Sequence, residues 1–141
     1  VRNKVTSTIE AIRDGIDEYE FKKISDAILG LASFGNRYLQ SHAPWKILKT
    51  EPEEAKAIMH NALWISKALA VLMEPLMPRK AELLWNQLGT PKVETPLEEA
   101  KEPLVIGTPL QEPETLFSQV SEEEIEALSE ALIRRIARAQ G

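Results

Sequence analysis

Residues 21–46 read FKKISDAILGLASFGNRYLQSHAPWK, and this stretch decides the fold. Phe21, Ile24, Ile28, Leu31, Gly35 and Tyr38 succeed one another at steps of three and four. That spacing gathers them on one face of an α-helix. The helix should run from about 20 to about 41 and stop before Pro44, because the residue ahead of a proline is crowded out of helical geometry.

Upstream, Val5, Ile9, Ile12, Ile16 and Tyr19 repeat the same steps, which predicts a first helix facing the second. Downstream, Thr50 and Glu53 have the spacing of a capping box, with Pro52 tolerated in the first turn. A third helix should continue to about Met73, where Pro75 and Pro78 end it. Residues 62–73 are apolar nearly all round apart from Lys67, so this helix is expected at the centre. A short fourth helix follows over 78–88, with Gly89 placed to supply a left-handed cap. Trp64 and Trp85 read as core or helix-interface aromatics, and Met59, Met73 and Met77 as packing residues. His60 reads as a surface or half-buried helix residue.

Beyond residue 90 the composition changes. Five of the nine prolines fall between Pro91 and Pro113 among scattered glutamates, the composition of an extended strap. Within it, Leu104, Val105 and Ile106 read either as a short strand or as residues packed on the bundle. A last helix has complete start signals: Ser121 and Glu124 at capping-box spacing, with Val120 and Ile125 at the staple positions. Glu122, Glu123 and Glu124 suit its positive end, and Arg134, Arg135 and Arg138 its negative end. Ile125, Leu128, Leu132 and Ile136 form its apolar row. The expected architecture is all-α: a bundle of four to five helices over 1–90, then a Pro-rich strap and a C-terminal helix folded back on the bundle over 91–141.

The 141 residues carry a net charge of −5 and are 43% hydrophobic and 28% charged, which excludes global disorder. Cysteine is absent, so disulfides, thiolate metal sites and thiol catalysis drop out together. That is consistent with a reducing compartment, and a cytoplasmic location is expected. No apolar run reaches the roughly 18 residues needed to cross a bilayer, so no membrane partner is expected. The chain begins Val-Arg-Asn-Lys, without Met and without a signal-peptide apolar stretch, and is expected to be cut from a longer protein. His42 and His60 stand 18 residues apart and neither has a glutamate three residues before it, so the Glu-x-x-His and His-Glu-x-x-His metal patterns are missing. Glycine-rich phosphate loops and nucleophile elbows are missing too. No catalytic residue, metal ligand or cofactor is expected within this chain.

The charge is unevenly placed. Residues 1–90 hold 12 basic and 11 acidic side chains, whereas residues 91–141 hold 5 and 11. Within the first part, residues 27–50 contain no Asp or Glu but carry Arg37, Lys46, Lys49 and His42, a locally positive strip in an acidic protein. At its centre Pro44 and Trp45 follow a helix end. Either the ring is held outward as a platform on which an unpaired base stacks, with the nearby Arg and Lys attracting phosphates, or it plugs the end of the bundle beside Tyr38.

The run Asn36-Arg37-Tyr38, followed by Ala43-Pro44-Trp45-Lys46, resembles the signature in the anticodon-binding helical domain of methionyl-tRNA synthetases. Leu72-Met73-Glu74-Pro75-Leu76-Met77-Pro78, then Ala81-Glu82 and Leu84-Trp85, is similar to that family's next helix junction. Gly107, Pro113 and Leu116-Phe117, with the acidic start of the final helix, are similar to its C-terminal strap. The resemblance runs over about residues 20–125. It implies that Trp45 stacks on an anticodon base of tRNA-Met, that Pro44 sets its direction, and that Asn36, Arg37 and Tyr38 chiefly hold the turn. Lys46 and Lys49 complete the tRNA-facing set. It also implies that the catalytic domain, with its His-x-Gly-His and Lys-Met-Ser-Lys-Ser motifs and its ATP and Mg, lies upstream in a parent ligase. A preceding helix would supply an Asn and an Arg that read anticodon bases. Two other readings compete: the anticodon domain of a valine, leucine, isoleucine or cysteine synthetase, and a helical module whose acidic last third docks another synthetase or a translation factor.

Overall fold

The computed structural model describes residues 1–90 and 96–139 of the chain. Six α-helices stand among them: α1 (Arg2–Asp17), α2 (Phe21–His42), the single turn α3 (Pro44–Ile47), α4 (Pro52–Leu72), α5 (Pro78–Gln87) and α6 (Glu122–Ala139). A 3-10 turn spans Leu97–Lys101. The described residues contain no strand, so the all-α expectation holds.

The central position expected of the third helix is correct. α4 packs against α1, α2, α3, α5 and the 3-10 turn. Val5, Ile9 and Ile12 of α1, Ile24, Ile28 and Leu31 of α2, and Ile65, Ala68, Val71 and Leu72 of α4 form one buried cluster. Ala81, Trp85 and Leu88 extend it under α5. Removing this much apolar surface from water is the main force holding the helices together.

The α1–α2 hairpin departs from the expected pattern at its tip. Ile16, Tyr19 and Phe21 are exposed, the last two at 83% and 68%. The cause is Gly15: a Cβ there would lie 2.7 Å from the Ile24 Cγ1, so the helices approach closely at a glycine. With glycine turned inward, Ile16 is rotated outward. The chain then reverses through Tyr19, which adopts φ 57°. Met59 is also exposed, at 44%, rather than packed.

The start of α4 differs as well. Its N-cap is Glu51 with no side-chain capping bond, because Pro52 fixes the first helical residue one position later than a Thr50 cap requires. The Thr50 hydroxyl donates instead to the Ile47 carbonyl at 3.3 Å, and Glu53 pairs with Lys56 at 2.7 Å. At the end of α5 the expectation holds. Gly89 has φ 70°, its N–H donates to Asn86 O at 3.0 Å, and the Thr90 N–H reaches Trp85 O at 3.4 Å, the pair of bonds of a Schellman cap.

The strap is tied down by polar side chains of α4 and α5. The Trp64 indole N–H donates to Ala100 O at 2.9 Å. Lys67, only 7% exposed within an apolar helix, bonds the Glu99 carboxylate at 2.5 Å and the Glu102 carbonyl at 3.1 Å. His60 Nε2 lies 2.9 Å from Leu104 O, and since a carbonyl only accepts, that nitrogen carries the proton. Leu104 is buried while Val105 and Ile106 are exposed, so one residue of the three packs. Further along, the Gln111 N–H donates to Gln87 O at 2.9 Å, and Lys80 donates to Leu116 O beneath the Phe117 ring. Residues 91–95, also expected in the strap, lie outside the described residues.

The folded-back last helix is not seen. Every described side chain from Glu122 to Arg138 is exposed, including Ile125, Leu128, Leu132 and Ile136. Local forces account for the helix without packing. Ser121 and Glu124 close a reciprocal capping box at 2.9 and 3.2 Å, Arg134 pairs with Glu130 one turn back, and both ends carry charges that suit the helix dipole.

Candidate nucleic-acid interface

Pro44 decides how α2 ends. Ala43 is barred from ordinary helical geometry by the proline after it and adopts φ 39°, ψ 59°, a left-handed conformation. A non-glycine residue there costs about 1–2 kcal/mol. Part of this is offset because the Ala43 N–H caps the Leu39 carbonyl at 2.8 Å. Pro44 is then the first residue of α3, buried, with its fixed φ suited to that position.

Trp45 follows with 61% of its surface exposed. The alternative in which it plugs the bundle beside Tyr38 is thereby excluded. Tyr38 fills that place itself: its hydroxyl accepts from Asn61 Nδ2 at 3.0 Å and ties the end of α2 to α4. Phe34, Tyr38 and His42 succeed one another at one-turn spacing. The ring centroids are 6.3 Å apart for Phe34 and Tyr38, and 4.3 Å for Tyr38 and His42.

Tyr38 therefore holds the end of α2, as expected, whereas Asn36 and Arg37 do not hold the turn. Both lie inside α2, more than one helical turn before its end, with exposed side chains. Asn36 lines an open groove of about 360 Å³ between α2 and α4, beside Leu39, Ile65 and Ser66. Gly35 lets the helices approach there, since a Cβ would lie 3.0 Å from Ile65 Cγ2. Arg37, Lys46 and Lys49 are exposed, and none has a carboxylate partner among the described residues. The acids nearest to the two lysines in sequence are Glu51, Glu53 and Glu54 at the start of α4. A hydrogen bond to Glu54, and then repulsion from its charge, raise the Glu51 carboxyl above its ordinary value.

From Asn36 to Lys49 the chain carries one exposed indole, three cations without carboxylate partners among the described residues, the Asn36 carboxamide and the His42 imidazole. They can stack, attract phosphate and hydrogen-bond. His42 is the member that sequence reasoning weighed least. Its position in the acid-free strip was one available signal, and its spacing of four from Tyr38 on the same helix was another.

A family model described as the anticodon binding domain of methionyl tRNA ligase matches residues 1–134. Proteins named methionine–tRNA ligase are similar along the chain. That of Methanothrix thermoacetophila is 35% identical over 100% of this chain and 21% of its own length, and that of Methanococcoides burtonii 40% over 100% and 22%. The protein from Methanosphaerula palustris is 39% identical over 99% of this chain and 21% of its own length. The chain thus spans about a fifth of the length of the curated relatives it matches. With a match that begins at the first residue of α1's N-cap and runs through most of α6, the chain belongs to the family of anticodon-binding domains of methionyl tRNA ligase.

Proposed function

We propose that this domain recognises the anticodon loop of tRNA-Met for a methionine–tRNA ligase whose catalytic part lies elsewhere in the parent protein. The observation that supports this best is the Trp45 ring, exposed on a proline-fixed turn within a stretch whose cations, Arg37, Lys46 and Lys49, lack carboxylate partners among the described residues. Trp45 stacks on an unpaired anticodon base, Pro44 sets its direction, and Arg37, Lys46 and Lys49 attract the flanking phosphates. Asn36 faces the groove beside this surface.

ATP and Mg serve the catalytic part of such an enzyme. The chain has no glycine-rich loop of the kind that cradles phosphates, so no residue of this domain is assigned to holding them. The working location is the cytoplasm, where the parent meets its tRNA. No helix of the described residues is long and apolar enough to cross a membrane.

The test is a titration of this chain with an anticodon stem-loop. Trp45→Ala should weaken binding by about 1–3 kcal/mol, the worth of one stacked base, while Trp45→Phe retains most of it. With three cations engaged, the logarithm of affinity should fall with that of salt at a slope of roughly −2 to −3. In the parent enzyme, Trp45→Ala should lower aminoacylation and leave amino-acid activation without tRNA unchanged. Equal affinity of wild type and Trp45→Ala would overturn the reading.

A further inference from the structure

His42 is held more firmly than an exposed side chain at a helix end needs to be. Its ring stacks on Tyr38 with centroids 4.3 Å apart and planes inclined by 35°. Its Nδ1 lies 2.8 Å from the Tyr38 carbonyl oxygen. A carbonyl can only accept, so Nδ1 carries the proton and donates it there. In the neutral ring the other nitrogen, Nε2, is then an acceptor. Nε2 has no partner among the described residues, and the residue is exposed. Tyr38 is itself fixed through Asn61 on α4, so the ring plane and the direction of Nε2 are set before any ligand arrives.

A neutral acceptor has little use for phosphate, which offers only acceptors. It needs a donor, and RNA loops carry two kinds: exocyclic amines on bases and 2′-hydroxyls on riboses. The first explains the arrangement better. The ring is a flat surface at the end of an aromatic series, three residues ahead of the Trp45 platform. Three residues of chain keep the two Cα atoms within about 11 Å of each other, so the two exposed rings stand on neighbouring parts of the surface. A stacked indole accepts any base, so it contributes affinity without choosing sequence. A rigid acceptor beside it supplies the choice.

We propose that His42 is a specificity-determining residue whose Nε2 accepts a hydrogen bond from the exocyclic amine of an anticodon-loop base next to the one stacked on Trp45. This rests on the anticodon-loop reading above. Asn36 and Arg37 lie on other parts of the α2 surface and leave this role to His42.

The experiment is a coupling measurement on the 141-residue chain. Anticodon stem-loops are prepared in which each amine-bearing loop base is replaced in turn by its analogue lacking the amine, for example purine riboside for adenosine. A parallel set carries single 2′-deoxy substitutions. Each is titrated against wild type, His42→Phe and His42→Gln. His42→Phe keeps the ring on Tyr38 but removes the acceptor; His42→Gln returns an acceptor oxygen on a looser stem. For wild type, one amine deletion should weaken binding about three- to tenfold, the net worth of one neutral hydrogen bond. The same deletion should have no effect on His42→Phe and an intermediate effect on His42→Gln.

Thermal unfolding of the variants confirms that they fold. If no amine deletion is coupled to His42, or if only a 2′-deoxy substitution is, the proposal is overturned while stacking on Trp45 stands. If wild type binds none of the stem-loops, both readings fall together.

Discussion

Replacing Gly89 with alanine should release the far half of the strap, and the structure sets the size of the effect. Gly89 closes the Schellman cap of α5 at φ 70°, where an alanine costs about 1 kcal/mol. Space is the larger problem. A Cβ on Gly89 would stand 1.9 Å from the Pro109 carbonyl oxygen and 2.9 Å from its carbon. Real Cβ contacts do not fall below 3.0 Å, so backbone must shift by more than 1 Å, the difference between 3.0 and 1.9 Å. The strap is the part that can move. Moving it breaks the Gln111 N–H bond to Gln87 O and the Gln87 Nε2 bond to Glu114 O, both 2.9 Å. Each contributes about 1 kcal/mol net. The expected total is about 2–4 kcal/mol.

Gly107 supplies the control. It too has a positive φ, 90°, but a Cβ there meets nothing within 4 Å. Gly107→Ala should therefore cost only the conformational part, about 1 kcal/mol. Urea unfolding of both variants measures the difference, and hydrogen exchange at the Gln111 amide locates it. Exchange at the Trp64–Ala100 end of the strap should stay protected in Gly89→Ala. Equal losses for the two variants, or unchanged exchange at Gln111, would refute the close approach of strap and helix cap.

Two further substitutions test other parts of the bundle. Tyr19 is exposed and left-handed at φ 57°, so Tyr19→Gly should raise stability by about 0.5–1 kcal/mol in urea titrations despite removing a large side chain; a loss of stability would show that the ring contributes packing. The Glu51 carboxyl is raised by its hydrogen bond to Glu54 and by that neighbour's charge, so the folded state takes up this proton more readily than the unfolded chain. The wild type carries the resulting penalty at neutral pH and sheds it as pH falls through the raised value. Glu51→Gln should thus raise Tm slightly at neutral pH, with the gain shrinking toward the ordinary carboxylate range; a gain that grew on acidification would contradict the sign.

Periodicity made the first two helices legible, because apolar steps of three and four in 5–12 and 24–38 reflect burial directly, and the nearly all-round apolar run over 62–73 marked the central helix. It failed at Ile16, Tyr19 and Phe21 because the hairpin crossing is set by a glycine, and a missing side chain leaves no trace in a hydrophobic pattern. Capping residues were legible only where nothing competed. Ser121 and Glu124 close their box, whereas Pro52 displaces the start of α4 beyond Thr50. The strap's path could not be read, since its ties run between residues 32 to 44 positions apart, from Lys67 to Glu99 and from His60 to Leu104. At the interface, the local pattern of Pro44 and Trp45 left the ring either outward or plugging the bundle, and only the structure's 61% exposure decides between them. The groove beside Asn36 depends on how α2 meets α4, whereas the His42 ring is placed by Tyr38 within α2 itself.

The central helix explains why that interface is rigid. His60, Trp64 and Lys67 step by four and three along α4, and all three donate to the strap. Asn61 and Ile65, each one position after a strap anchor, meet α2 through Tyr38 and at Gly35. Adjacent faces of α4 are thus committed to two different segments by polar bonds and a close approach, and neither can rotate without breaking the other. The turn beyond Tyr38 stores the cost of a left-handed alanine, about 1–2 kcal/mol, and would relax if the end of α2 were free. The Asn61 bond and the aromatic series keep it from relaxing. Trp45 and His42 consequently project from a fixed platform on either side of Ala43. On the function proposed above, little backbone entropy at this turn then remains to be lost on binding a single strand, which favours a small interface with few cations.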